Sequence, residues 1–181
     1  REIGLMIRGH DTDNPVLLFL AGGPGGSELG AMRNHLSALE LDFTVATLDQ
    51  RGTGRSYPAL DPTDTYTLES AIADTVATTN YLRDRFVVDR VVLDGQSWRT
   101  ILGALAVQRE PGLYSAFVGV GQMVSPVETD RIFYTDTLAW ARQHGEPGLA
   151  AELEQIGPPP YTSMLDYETA LSFVQEVYPY D

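Results

Sequence analysis

Lysine and cysteine are both missing from this 181-residue chain; all 12 basic side chains are arginine, against 25 acidic ones. Without lysine there is no P-loop, no Schiff base to pyridoxal phosphate and no Ser-x-x-Lys nucleophile pair. Without cysteine, thiol catalysis, thiolate metal sites and disulfides are excluded. Histidine is scarce as well. His10, His35 and His144 are too widely separated for a zinc site of usual spacing, so no metal is expected. Long hydrophobic runs are also absent: Val16 to Ala21, the longest, falls far short of the roughly 20 residues of a membrane span. A formal net charge of -13 repels phosphate backbones and argues against nucleic acid as a partner. What is left is serine or carboxylate chemistry, or binding, without a cofactor, on a small molecule or short peptide. The oligomeric state stays open. No signal peptide is visible, which points to the cytoplasm. The chain opens on Arg1 rather than methionine, implying a missing upstream piece and leaving secretion open.

The 43% of apolar residues suffice for a real core, and their order is informative. Ile3 to Arg8 reads as a short strand, and Pro15 to Ala21 as a buried one that ends in glycines. Leu29, Met32, Leu36 and Leu39 recur at helical spacing, and Phe43 to Leu48 is the next buried strand. Thr67 is placed to cap a long helix with Leu68, Ile72, Val76, Thr79 and Leu82 on its core side. Arg90 to Asp94 is a strand, Ile101 to Arg109 a helix, and Ala116 to Val120 a further strand. Alternating strands and helices predict a mostly parallel sheet covered on both faces, with ligands bound beyond the carboxyl ends of the strands. The character changes near residue 125. Asp130 to Asp181 carries nine acidic side chains against two arginines, and eight of the aromatics. The expected organisation is therefore an α/β core over 1–125 and a helical cap over 126–181, broken near Gly145 and near Gly157 to Pro160.

Three segments carry the candidate chemistry, each at a strand end. The sharpest is Gly95-Gln96-Ser97-Trp98, where a strand runs straight into a helix. A Gly-x-Ser at such a junction is the arrangement of a nucleophile elbow, which pushes the serine hydroxyl out above the sheet. The amide of Trp98, at the helix N-terminus, is placed to donate to an oxyanion. The second is Gly22-Gly23-Pro24-Gly25-Gly26, where missing side chains let amides approach a ligand oxygen. A phosphate cradle is its rival, but no Gly-Lys-Ser/Thr follows. The third is Asp49 to Ser56, in which Asp49 and Arg51 flank a turn that a charge-assisted hydrogen bond can lock.

In order and spacing these segments resemble the α/β-hydrolases of the proline iminopeptidase branch, whose hallmarks are His-Gly-Gly-Pro-Gly, Asp-Gln-Arg-Gly-x-Gly-x-Ser and Gly-x-Ser-Trp-Gly. The resemblance runs from about Pro15 to Val120. It implies Ser97 as the nucleophile and an oxyanion hole from the amides of Gly23 and Trp98. Gly22, Pro24, Gly25, Asp49, Arg51, Gly95 and Gln96 would shape the site. The implied activity is hydrolysis of an amide or ester through an acyl-enzyme, most specifically by an aminopeptidase whose cap carboxylates hold the substrate's amino group. An esterase or an impaired binding domain is the alternative; an epoxide hydrolase would want aspartate at position 97. Three departures stand out. Ala21 replaces the histidine of the glycine loop. Arg99 stands where the elbow's last glycine belongs, and must point out of the turn or distort it. The triad's acid and histidine are expected beyond residue 181, because none of the three histidines suits the role.

Overall fold

The computed structural model describes residues 2–20, 22, 23, 25–61, 63 and 65–178. They divide into two compact units, residues 1–123 and 124–181.

The first unit is a five-stranded sheet. Its strands are β1 (Leu5–Arg8), β2 (Val16–Leu20), β3 (Thr44–Leu48), β4 (Val91–Gln96) and β5 (Tyr114–Val120). The order across the sheet is β1-β3-β2-β4-β5, parallel throughout except for β1, which runs antiparallel to β3. Its helices are α1 (Leu29–His35), α2 (Leu68–Phe86) and α3 (Arg99–Arg109). All of β2 is buried, as its continuous apolar run predicts. Its residues alternate between two cores. Val16, Leu18 and Leu20 pack with Ile72 and Leu82 of α2 and Leu102 and Ala106 of α3. Leu17 and Phe19 pack on the other face with Met32 of α1. Helices on opposite faces follow the neighbouring strands β2 and β4, which makes the gap between their carboxyl ends the crevice of the sheet.

Local signals hold with some differences. The Thr67 side chain accepts from the Ser70 N–H at 3.1 Å, capping α2 as expected, a bond worth about 1 kcal/mol. Leu68 does not join the core side; it is 44% exposed, because it sits in the first turn ahead of the buried stripe. The periodicity from Leu29 to Leu39 is not one helix: α1 stops at His35 and a tighter 3-10 turn takes Ser37–Leu41. Strand β5 is mostly exposed rather than buried, since it forms a sheet edge among the described residues.

The second unit is helical: α4 (Pro126–His144), α5 (Pro147–Ile156), α6 (Met164–Leu171) and α7 (Val174–Val177). The breaks fall where the glycines and prolines put them. Gly145 takes the left-handed conformation (φ 74°) that closes α4, and Pro147 opens α5. Ala141, Leu149, Ala150, Leu153 and Ala170 form its core, with Tyr134, Trp140, Tyr161 and Phe173 around them. Among the described residues no helix is long and apolar enough to cross a membrane.

Candidate active site

The turn between β4 and α3 is sharp. Ser97 is left-handed, with φ of 53°, a conformation that costs a residue other than glycine on the order of 1–3 kcal/mol. Hydrogen bonds hold it there. The Ser97 N–H donates to the Val120 carbonyl at 2.8 Å, and its own carbonyl accepts from the Thr100 N–H at 2.9 Å and the Thr100 hydroxyl at 2.5 Å. That hydroxyl accepts in turn from the Met123 N–H at 2.9 Å. Strand and helix cross so closely at Gly95 that a Cβ there would stand 2.7 Å from the Arg99 carbonyl oxygen. Gly95, Arg99 and Thr100 are buried, whereas Gln96 and Ser97 are exposed. The strain is thus held by a buried frame that leaves the serine at the surface.

The glycine loop after β2 comes up beside this turn. Gly22 is buried, and a Cβ on it would lie 3.8 Å from Ser97 Cβ and 3.3 Å from a carboxylate oxygen of Glu28. Gly23 and Gly25 both have positive φ, 113° and 94°, which suits a loop that turns tightly back towards α1. Gly23 follows the Gly22 contact and Trp98 follows Ser97, so the two segments with the candidate amides are neighbours. The indole Nε1 of Trp98 is buried without a hydrogen-bond partner among the described residues. Ala21 and Pro24 lie outside the described residues.

The loop after β3 is a polar frame with a different wiring from the expected lock. Asp49, only 1% exposed, accepts from the Ser27 hydroxyl at 2.6 Å and the Arg55 N–H at 2.8 Å. Its backbone carbonyl accepts from Ser56 Oγ at 2.7 Å, and that hydroxyl accepts from the Gly4 N–H at 2.7 Å. A side chain on Gly54 would overlap the Asp49 carboxylate. Arg51 pairs instead with Asp74 of α2, whose other oxygen accepts from the Tyr66 hydroxyl at 3.1 Å. Burial, and then the Asp74 charge, push the Tyr66 phenol well above its ordinary pKa. The segment therefore ties together the loop before α1, the chain before β1 and α2, rather than closing on itself.

Arg99 resolves its conflict inward. Its side chain leaves the turn without opening it, is 4% exposed, and donates from Nη2 to Gln50 Oε1 at 2.7 Å. Burial lowers its pKa from the ordinary value, and an arginine remains charged at neutral pH all the same. The buried Nε has no partner among the described residues. Asp94, two residues before the turn's exposed stretch, is half-buried, and burial raises its carboxyl pKa. Within the first unit, neither His10 nor His35 makes a hydrogen bond to Ser97 among the described residues. His10 and His35 are exposed, and the His144 ring stacks on Trp140 at 4.6 Å.

Residues 15–144 match the alpha/beta hydrolase fold family, and the chain belongs to it. A probable aminopeptidase of Bacillus subtilis (strain 168) is 35% identical over 157 residues, covering 87% of this chain and 49% of that protein. A probable proline iminopeptidase of Streptomyces coelicolor is 31% identical over 113 residues, covering 62% and 34%. The chain thus spans half or less of the length of these relatives. A solved proline iminopeptidase-related protein of Thermus thermophilus superposes with a TM-score of 0.59 at 23% identity, covering 94% of this chain and 56% of that one. An epoxide hydrolase of Vigna radiata gives 0.55 at 24%, covering 96% and 64%. At these identities the two structures speak to the fold.

Proposed function

We propose that this chain carries the nucleophile and oxyanion-binding part of a serine hydrolase that cleaves an amide or ester through an acyl-enzyme on Ser97. An aminopeptidase of the proline iminopeptidase type is the most specific form of the reading. The observation that carries it is the exposed, left-handed Ser97 with the glycine loop beside it, where a Cβ on Gly22 would lie 3.8 Å from Ser97 Cβ. Attack by Oγ on a carbonyl would develop negative charge next to two backbone segments, and the amides of Gly23 and Trp98 are the donors assigned to it. A base and its orienting acid would come from elsewhere in the full-length protein, because a serine alone is a poor nucleophile at neutral pH. The names of the two curated relatives favour the aminopeptidase over an esterase.

Steady-state hydrolysis of proline 4-nitroanilide by the full-length protein tests this. Ser97→Ala should lower kcat by roughly 1,000-fold or more, as loss of a nucleophile does elsewhere. An equal rate in that variant would sink the assignment.

Buried Arg99 favours a second reading, a hydrolase-like domain whose altered turn leaves only a binding function. The Arg99→Gly variant separates the two. A strong rise in hydrolysis marks an enzyme impaired at this position. No turnover in either form, with the full chain present, favours binding.

A further inference from the structure

The glycine loop has little of its own to hold it beside Ser97. Gly22, Gly23, Gly25 and Gly26 bring no side chains, and a Cβ on Gly25 or Gly26 would meet nothing within 4 Å. Glycine backbone loses the most freedom when fixed, so the amide of Gly23 needs anchors outside the loop. They stand at its end. The Ser27 hydroxyl donates to the Asp49 carboxylate at 2.6 Å. The next residue, Glu28, sets a carboxylate oxygen 3.3 Å from where a Gly22 Cβ would sit. Gln50, the neighbour of Asp49, accepts from Arg99 Nη2 at 2.7 Å. The glycine loop and the serine turn thus meet on the same two consecutive buried residues, Asp49 and Gln50.

Electrostatics adds a second tie. Burial lowers the Arg99 pKa, and Tyr66 and Glu28 oppose that shift. Burial first, and then Asp74, hold the Tyr66 phenol well above its ordinary pKa, so it is uncharged near neutral pH. Glu28 is then the anion that acts on the buried guanidinium, where water screens the attraction little.

We propose that Arg99 is a positioning residue for the oxyanion-binding amides, holding the glycine loop beside the Ser97 turn through Gln50 and the Glu28 carboxylate. This rests on Ser97 being the nucleophile. Arg99 directly follows Trp98, so one side chain links the segment with the Trp98 amide to the segment with the Gly23 amide. Two donors serve an oxyanion only while both keep their distance to it, and a loop of glycines drifts unless it is held. A glycine at position 99 would take the donor from Gln50 and the counter-charge from Glu28. The loop would then hang on the Ser27 bond alone.

The test uses the full-length protein, proline 4-nitroanilide and the boronic acid analogue of proline, whose tetrahedral adduct with a serine oxygen mimics the oxyanion. Arg99→Met keeps an unbranched apolar stem without the charge. It should lower kcat about 10- to 100-fold and weaken boronic acid binding by a similar factor. KM and inhibition by free proline should stay within about threefold, because the ground state makes no such demand on the loop. Arg99→Lys, which restores the charge, should lie between. Glu28→Gln should lower kcat in the parent and add little in Arg99→Met, as coupled residues do. It carries the same comparison alone if Arg99→Met does not fold. A rise in kcat in Arg99→Met or Arg99→Gly overturns the proposal. So do additive losses for the pair, or an equal weakening of boronic acid and proline binding, which marks a merely structural role. Retention of all hydrolysis by Ser97→Ala removes the underlying reading, and the proposal with it.

Discussion

In residues 1–123, Gly4, Gly52, Gly54, Gly95, Gly103 and Gly119 each stand where a Cβ would come closer than 3.0 Å to a neighbouring atom. In residues 124–181, Gly145, Gly148 and Gly157 all have open space around them. The buried polar networks divide in the same way, although the first unit also carries an exposed pair, Arg109–Glu69. The first unit buries Asp49, Gln50, Ser56, Asp74 and Arg99 in hydrogen-bonded frames. The second places its ion pairs, Arg131–Glu128 and Arg142–Glu154, on the surface. The contrast shows where chemistry can be built. A strained serine needs a frame that cannot relax, and among the described residues such a frame exists only in the first unit. The helical unit is ordered by apolar and aromatic packing.

The largest expected break in this contrast is Gly95→Val. Two branches forced against the Arg99 and Thr100 backbone should cost about 3 kcal/mol or more, seen as a lower urea midpoint of the full-length protein. Gly148→Ala, in open space within α5, should instead raise stability by about 0.5 kcal/mol in the same assay. Opposite signs at these two glycines would show that one backbone is locked against its neighbours and the other is not.

Asp49→Ala should cost about 2–3 kcal/mol, since it strands the Ser27 hydroxyl and the Arg55 N–H and opens a small cavity. Asp94 sharpens the contrast through pH. Burial raises its folded pKa above the ordinary value of 3.8, because the buried site disfavours the charged carboxylate. That contribution is complete below the ordinary value and is lost as pH rises through the raised one. Asp94→Asn should therefore melt higher than the parent at neutral pH, with the gap closing in acid; a constant gap would show that titration is not the cause. The smallest effect belongs to the second unit. Arg142→Ala breaks an exposed pair with Glu154 and should change stability by less than about 1 kcal/mol.

The same division governs how much can be read from the chain alone. The buried run of β2, the Thr67 cap and the helix breaks at Gly145 and Pro147 are local patterns, and each predicts its own element. The three candidate segments are legible as glycine and serine at strand ends, and the fold sets Gly22 beside Ser97, where a Cβ on the glycine would lie 3.8 Å from the Ser97 Cβ. Their polar partners are not legible. Asp49 bonds Ser27 and Arg55 rather than closing on Arg51, and Gln50 meets Arg99 across 49 positions. No spacing rule announces such pairs, because sheet order decides them. Arg99 is visible as an exception, but its inward course depends on a buried Gln50 that only the folded chain supplies.

The proposed function stands on Ser97 as the reactive group of this site. Treating the full-length protein with a fluorophosphonate and mapping the adduct by mass spectrometry tests it directly. A single phosphonylated peptide containing Ser97, lost in Ser97→Ala, is the expected result. Labelling at another residue, or equal labelling of that variant, would contradict it.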